Sequence, residues 1–206
     1  MNKLLILKMF KELLTSFFIS SSLYGAPLEV PQEDMPVLPN EASPFRGVVK
    51  HTGYVGHTWV GYPHVENPAS LDMDPMGRIF VAEANRFWFG VPDLRRAREM
   101  IREDFQARTI EDRLAMYDKY ADKRDRAWYT QIPDRIIRLE DRDGNGVADF
   151  RTLFSDAFKE PLDGIGFSIL AERNATYFTC IPALRKLTDT DDDGVADTNE
   201  KIVNGF

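Results

Sequence analysis

Two copies of one acidic loop, 48 positions apart, constrain this chain more than any other feature of its sequence. "DRDGNGVADF" runs from Asp141 to Phe150, and "DTDDDGVADTNE" runs from Asp189 to Glu200. The likeness extends past the acids: Leu139 matches Leu187, Ile136 matches Leu184, Phe154 matches Ile202 and Phe158 matches Phe206. Apolar positions that repeat with the loop mark a structural unit, since an isolated acidic cluster has no reason to carry matching flanks.

Each copy needs strands upstream of its loop. "MGRIFVAE" (Met76 to Glu83) resembles "RNATYFTC" (Arg173 to Cys180), which aligns Phe80 with Phe178. That spacing exceeds the loop spacing, so the first unit carries an insertion. The inserted segment, about 92–125, reads as helical: Leu94, Ala97, Ile101 and Phe105 share one face. Thr109 with Asp112 forms a capping box before a second stripe of Ile110, Leu114, Tyr117 and Ala121. Its arginines read as solvated helix faces.

Elsewhere short runs such as "RIIRLE", "FRTLF", "GFSILAE" and "EKIVNGF" alternate with Gly, Pro and Asp turns at strand period. A mostly β fold follows. About four strands per repeat points to a partial β-propeller of about two blades, Ser70–Phe158 and Asp163–Phe206, with calcium-loop hairpins and an inserted α-helical segment. Two blades cannot close a propeller, so the expectation is a fragment of a longer product.

The loops place oxygen donors where a calcium ion needs them, at alternate positions around a glycine-permitted turn. In the first, Asp141, Asp143, Asn145, Val147 (by its carbonyl) and Asp149 hold positions 1, 3, 5, 7 and 9. In the second, Asp189, Asp191, Asp193, Val195 and Asp197 hold the same positions, and Glu200 stands at position 12. Thr152 replaces that glutamate in the first loop, which is therefore expected to bind more weakly. Asp192 is the acid expected to face solvent. Pro133 and Pro182 leave no room for an entering helix, so the loops read as hairpin tips rather than a helix-loop-helix sensor. Two structural Ca²⁺ ions are the expectation; magnesium, which keeps its waters, suits such loops less well.

The N-terminal part reads differently. Lys3, Lys8 and Lys11 lead into an apolar run from Leu13 to Tyr24 and the small residues Gly25 and Ala26, so residues 1–25 read as an export signal, with an amphipathic helix as the alternative. Residues 26–45, with five prolines between Pro27 and Pro44, read as a stiff linker before a folded part at 46–206. The protein is expected to be exported, periplasmic or extracellular, with membrane association left open. A net charge of −7 disfavours nucleic acid as a partner. Cys180 is the only cysteine, which excludes an internal disulfide and any Cys-x-x-Cys-His haem site in this chain.

In order along the chain, "GRIFVAEANRF", "TIEDRLAMYDKY", "DRIIRLEDRDGNGVAD", "EPLDGIGFSILA" and "YFTCIPALRKLTDTDDDGVADTNE" resemble the N-terminal propeller of the bacterial PVC-type membrane-bound dehydrogenases. That propeller is similar to those of glucose and sorbosone dehydrogenases. The resemblance implies, for full-length relatives, pyrroloquinoline quinone as a cofactor, a sugar or alcohol substrate and a cytochrome c domain or protein as electron acceptor. This chain alone is not expected to turn over substrate. Its histidines, His51, His57 and His64, form no base or metal signature. "DGIG" (Asp163 to Gly166) resembles a family motif but is also what a tight turn requires. Catalytic and cofactor-binding residues are therefore left unassigned. The leading expectation is a calcium-binding propeller fragment of a dehydrogenase-like protein; the alternative is a non-catalytic propeller module that binds carbohydrate or a cell surface.

Overall fold

The computed structural model describes residues 28–29, 58–87 and 89–205. The export signal over 1–25, His51, His57 and Phe206 lie outside the described residues, as does the proline-rich linker apart from Leu28 and Glu29. The described chain is mostly β, in two open antiparallel sheets. Strands β2 (Pro68–Met73), β3 (Ile79–Glu83), β4 (Asp134–Glu140) and β5 (Phe150–Phe158) form a meander in chain order, and β1 (Leu28–Glu29) adds to the free edge of β5. A second meander follows: β6 (Gly166–Glu172), β7 (Ala175–Cys180), β8 (Ala183–Thr188) and β9 (Thr198–Asn204).

Burial alternates residue by residue along β7 and β8, and along β5 as far as Ser155, as the sequence period requires. Phe80, Ala82, Ile136, Phe154 and Phe158 from the first sheet meet Ile169, Ala171, Phe178, Cys180 and Leu187 from the second. Phe80 packs edge-on to Phe154 with ring centroids 5.0 Å apart, and Phe158 lies 4.5 Å from Phe178. Strand β6 runs against β2 and β3, where the Ala171 N–H donates to Asp72 Oδ2 at 2.8 Å. The opposite face of the first sheet, with Val81, Ile137 and Leu139, is covered by Trp59, Val60 and Val65. On the second sheet every residue of β9 is exposed.

The register confirms the matches of Leu139 with Leu187 and corrects that of Phe80. Leu139 lies opposite Ile79 and Arg151; Leu187 lies opposite Thr176 and Asn199. Ile79 therefore corresponds to Thr176, and Phe178 corresponds to Val81, not to Phe80. The two phenylalanines come from opposite faces of their own sheets and meet in the shared core. Because side chains alternate along a strand, a slip of one residue exchanges the faces.

Between β3 and β4 the insertion folds as a small helical unit: α1 (Ile101–Gln106), α2 (Ile110–Lys119) and α3 (Arg126–Thr130). No described helix is long and apolar enough to cross a membrane. The capping box forms as the residues dictate, with Thr109 Oγ1 accepting from Asp112 N at 3.1 Å and Asp112 Oδ2 accepting from Thr109 N at 3.0 Å. Ala97, Met100, Met116, Tyr117 and Tyr129 make its core, and Tyr117 stacks on Tyr129 at 4.0 Å. The stripe expected through Phe105 does not hold: α1 begins only at Ile101, and Phe105 is 75 % exposed. Ile110 likewise stays half-exposed.

One cation ties the insertion to both sheets. Arg86, fully buried, donates through Nη1 to the carbonyl oxygens of Tyr129 (2.8 Å) and Ile132 (3.4 Å). Its Nη2 donates to Gly90 O (3.3 Å), Glu160 O (3.2 Å) and Asp163 O (2.9 Å). Its backbone N–H donates to Asp134 Oδ1 at 2.7 Å, while Asp134 Oδ2 accepts from Gly166 N at 2.8 Å. Burial pushes the Asp134 carboxyl above the usual carboxylate range.

Candidate metal centres

Both acidic loops cap the same kind of hairpin, β4–β5 in one sheet and β8–β9 in the other, at the end of the sheets away from the helical insertion. Each folds around its first aspartate. Asp141 Oδ1 accepts from the N–H groups of Gly144 (2.8 Å) and Asn145 (3.1 Å), and Oδ2 from Gly146 N (2.9 Å). Asp189 repeats this, Oδ1 accepting from Asp192 N (2.8 Å) and Oδ2 from Gly194 N (2.9 Å). A ring of N–H groups on one carboxylate turns the loop back on itself, which brings the ninth position beside the first and third.

The result is two groups of three carboxylates, Asp141, Asp143 and Asp149, and Asp189, Asp191 and Asp197, each with ligand oxygens within 4.8 Å of one another. All of the acidic donors are oxygens, the set a hard divalent cation takes; three like charges this close repel unless a cation or hydrogen bonds offset them. The Thr190 hydroxyl and N–H hold the Asp197 carboxyl below its usual range. Position 5 is used within the turn: Asn145 Oδ1 accepts from Val147 N (2.9 Å) and Asp193 Oδ1 from Val195 N (2.8 Å). Glu200 stands on β9 opposite Lys186, outside the three-carboxylate group.

The two loops differ in what touches them from outside. Arg138, 3 % exposed, reaches from β4 to Asp189 Oδ2 (Nη1, 2.8 Å) and Asp192 Oδ1 (Nη2, 3.0 Å) while also pairing with Glu140. Arg78 donates to Asp192 Oδ1 at 2.5 Å, to Asp74 Oδ2 at 2.5 Å and to Arg173 O at 2.8 Å. Asp192 is 60 % exposed, as its place in the loop suggests, yet it is bound to two guanidinium groups of the preceding sheet. It also occupies the left-handed backbone position, φ 63°, that Gly144 fills in the first loop at φ 74°. A side chain at that φ is disfavoured, least so for Asp and Asn, and the two ion pairs account for an aspartate there.

Each loop is also fastened to whatever precedes its sheet. Ala148 N donates to Trp59 O at 3.0 Å, and its equivalent, Ala196 N, donates to Phe154 O at 2.8 Å. Thr152 Oγ1 donates to Gly194 O at 2.6 Å. At Gly194 a Cβ would come within 2.8 Å of Thr152, so close docking as well as φ of 91° requires glycine. By register Thr152 corresponds to Glu200: Thr152 is turned toward the second sheet, and Glu200 lies on the corresponding, exposed face of β9.

Of the other singled-out residues, His64 lends its carbonyl to Arg151 Nε at 2.7 Å. Asp163 of "DGIG" is buried, pairs with Arg185 at 3.2 Å and accepts from Glu160 N at 2.9 Å; burial pushes its carboxyl up. It is a structural group at the link between the sheets. Cys180 is buried, and desolvation pushes its thiol up to about 12. Sequence reasoning missed Arg78, Arg86 and Arg138. Arg138 had a signal, since it shares the inward face of Ile136 in "RIIRLE"; for Arg86 the sequence offered none.

No curated protein and no solved structure matches the chain. A family model described as a domain of unknown function, DUF7133, matches residues 47–206, which takes in both sheets apart from β1, both acidic loops and the helical insertion, and the chain belongs to that family.

Proposed function

We propose that the chain is a calcium-stabilised pair of β-propeller blades from an exported, dehydrogenase-like protein, with one structural Ca²⁺ in each acidic loop. The observation that carries this reading is the equivalence of the two loops. Each gathers three carboxylates within 4.8 Å, and each docks through an alanine N–H on the element before its sheet. In this reading Asp141, Asp143, Asn145, Val147 and Asp149 hold one ion, and Asp189, Asp191, Asp193, Val195 and Asp197 hold the other. Glu200 has no part in its own loop as long as β9 keeps its register. The ion offsets carboxylate repulsion and fixes the hairpin tip against its neighbour, so binding is coupled to folding. Calcium titration of the chain tests it: melting temperature rises with saturable binding, and no change in melting or binding ends the proposal.

Oxidation of a sugar or alcohol with pyrroloquinoline quinone, and electron transfer to a cytochrome c domain, rests on the sequence resemblance alone. Dye-linked oxidation assays of the longer protein with and without the quinone test it. A carbohydrate-binding role has one observation in its favour. Half-exposed Phe89 borders a pocket with Glu66, Asn67, Asn85 and Arg135, an apolar ring beside planar hydrogen-bonding groups. Retention on polysaccharide columns that falls with Phe89→Ala would support this second role.

A further inference from the structure

The helical insertion and the second sheet enclose a cleft of about 420 Å³, within the size range of small-molecule sites, at the end of the sheets opposite the acidic loops. Four separate segments build it: the turn at Gly90 and Val91, the start of α2, the link at Leu162 to Gly164, and the β7–β8 turn at Ile181 and Pro182. Its walls are fixed. Gly164 N donates to Ile181 O at 2.6 Å, and buried Arg86 holds Gly90 and Asp163 by their carbonyl groups. Yet its two aliphatic lips are not buried, Ile110 being 52 % and Ile181 54 % exposed.

The charges around this apolar cleft are unevenly spent. Arg113 pairs with Asp104, Asp163 with Arg185, and Asp112 turns its carboxylate to the N–H groups of Arg108 and Thr109. Those two N–H groups lie just ahead of α2, and within its first turn the Asp112 N–H is taken by the Thr109 hydroxyl. Arg108, in contrast, lines the cleft, is exposed and has no carboxylate partner among the described residues. Behind the wall, the Arg86 guanidinium is held by carbonyl oxygens; a Cβ on Gly90 would lie 3.1 Å from its Cζ. A guanidinium without a carboxylate partner beside aliphatic side chains suits a ligand with an anionic head and an apolar body.

We infer that this cleft binds a small alkyl or aryl carboxylate, its head on Arg108 and its body between Ile110, Val91, Leu162, Ile181 and Pro182. Octanoate is the probe, with octanol and octylammonium as comparisons, measured by isothermal titration on the full chain. Octanoate binds saturably and about tenfold more tightly than octanol, as a charge-assisted contact would give. Arg108→Ala removes that advantage and leaves octanol binding unchanged, whereas Ile110→Ser weakens both. Both positions are exposed, and unchanged far-ultraviolet circular dichroism confirms that the variants fold. No octanoate binding, equal binding of octylammonium, or an Arg108→Ala variant that binds octanoate as the parent does would each overturn the inference.

Discussion

Replacing Arg138 with methionine tests whether Asp189 serves two masters, a guanidinium of the preceding sheet and a cation in its own loop. Methionine keeps most of the aliphatic packing and removes the charge. Taking one partner from a buried ion pair costs about 3–5 kcal/mol. Here two features reduce that figure. Asp189 keeps the N–H groups of Asp192 and Gly194, Glu140 keeps Arg142 at 3.3 Å, and the pair with 60 %-exposed Asp192 contributes little because solvent screens it. We therefore expect a loss of about 2–3 kcal/mol in chelator, a fall in melting temperature of about 5–10 °C. With saturating calcium the ion offsets the charge of Asp189, and the loss shrinks to about 1 kcal/mol. By reciprocity the variant binds calcium at the second loop roughly tenfold more tightly than the parent. Thermal denaturation with and without calcium, together with isothermal titration, reads both quantities. An equal loss in the two conditions would refute the competition, and weaker calcium binding would show that Arg138 organises the loop for the ion instead.

Three further outcomes follow from the buried groups. Arg86→Met leaves the carbonyl groups of Tyr129, Gly90 and Asp163 without their donor, and at about 1–3 kcal/mol each the insertion should come loose from the sheets, read as protease cleavage between α1 and α3. Asp134 has its folded-state pKa raised, chiefly by burial, so it binds a proton more readily in the folded chain and adds stability as pH falls through that range. Asp134→Asn removes the titration, and its cost in urea denaturation is therefore larger at pH 5 than at pH 7. The Cys180 thiol, pushed up to about 12 and buried between the sheets, should react with a thiol reagent only in denaturant; prompt labelling of the native protein would contradict its place in the core.

Local pattern carried the sheets and the loops; side chains that bridge elements did not declare themselves. Alternation in "FRTLF" and "ATYFTC" and the glycines of the acidic loops each depend on neighbours within a few residues, so sequence alone places them. The capping box of Thr109 and Asp112 is legible for the same reason. A helical stripe carried through Leu94 and Ala97 misplaces Phe105, because both residues lie ahead of the helical turns that lead into α1. Identity of residue type matches Phe80 with Phe178, whereas the pairing of Ile79 with Leu139 and of Thr176 with Leu187 reveals a one-residue slip. Arg86 gathers acceptors from Gly90 to Asp163, a span over which no periodicity operates.

The same register changes what the acidic loops hold together. Read as isolated hairpins, they would staple β4 to β5 and β8 to β9, strands that already share a ladder of backbone hydrogen bonds and need little help. The bonds that leave each loop go elsewhere: Ala148 to Trp59, Ala196 to Phe154, Gly194 to Thr152, and Asp189 and Asp192 to Arg138 and Arg78. The bonds of the second loop cross to the first sheet and its β2–β3 turn, and the bond of the first loop reaches the segment ahead of β2. The loop therefore works as a clasp between successive units, and a cation that orders it would stiffen the junction between sheets more than the hairpin itself. Thr152 shows the receiving side of that clasp, and Glu200 and Lys186 occupy the positions of Thr152 and Arg138 on the outer face of the second sheet. Glu200 thus lies on the exposed face that matches the gripped face of the first sheet, apart from the loop whose spacing it completes in sequence.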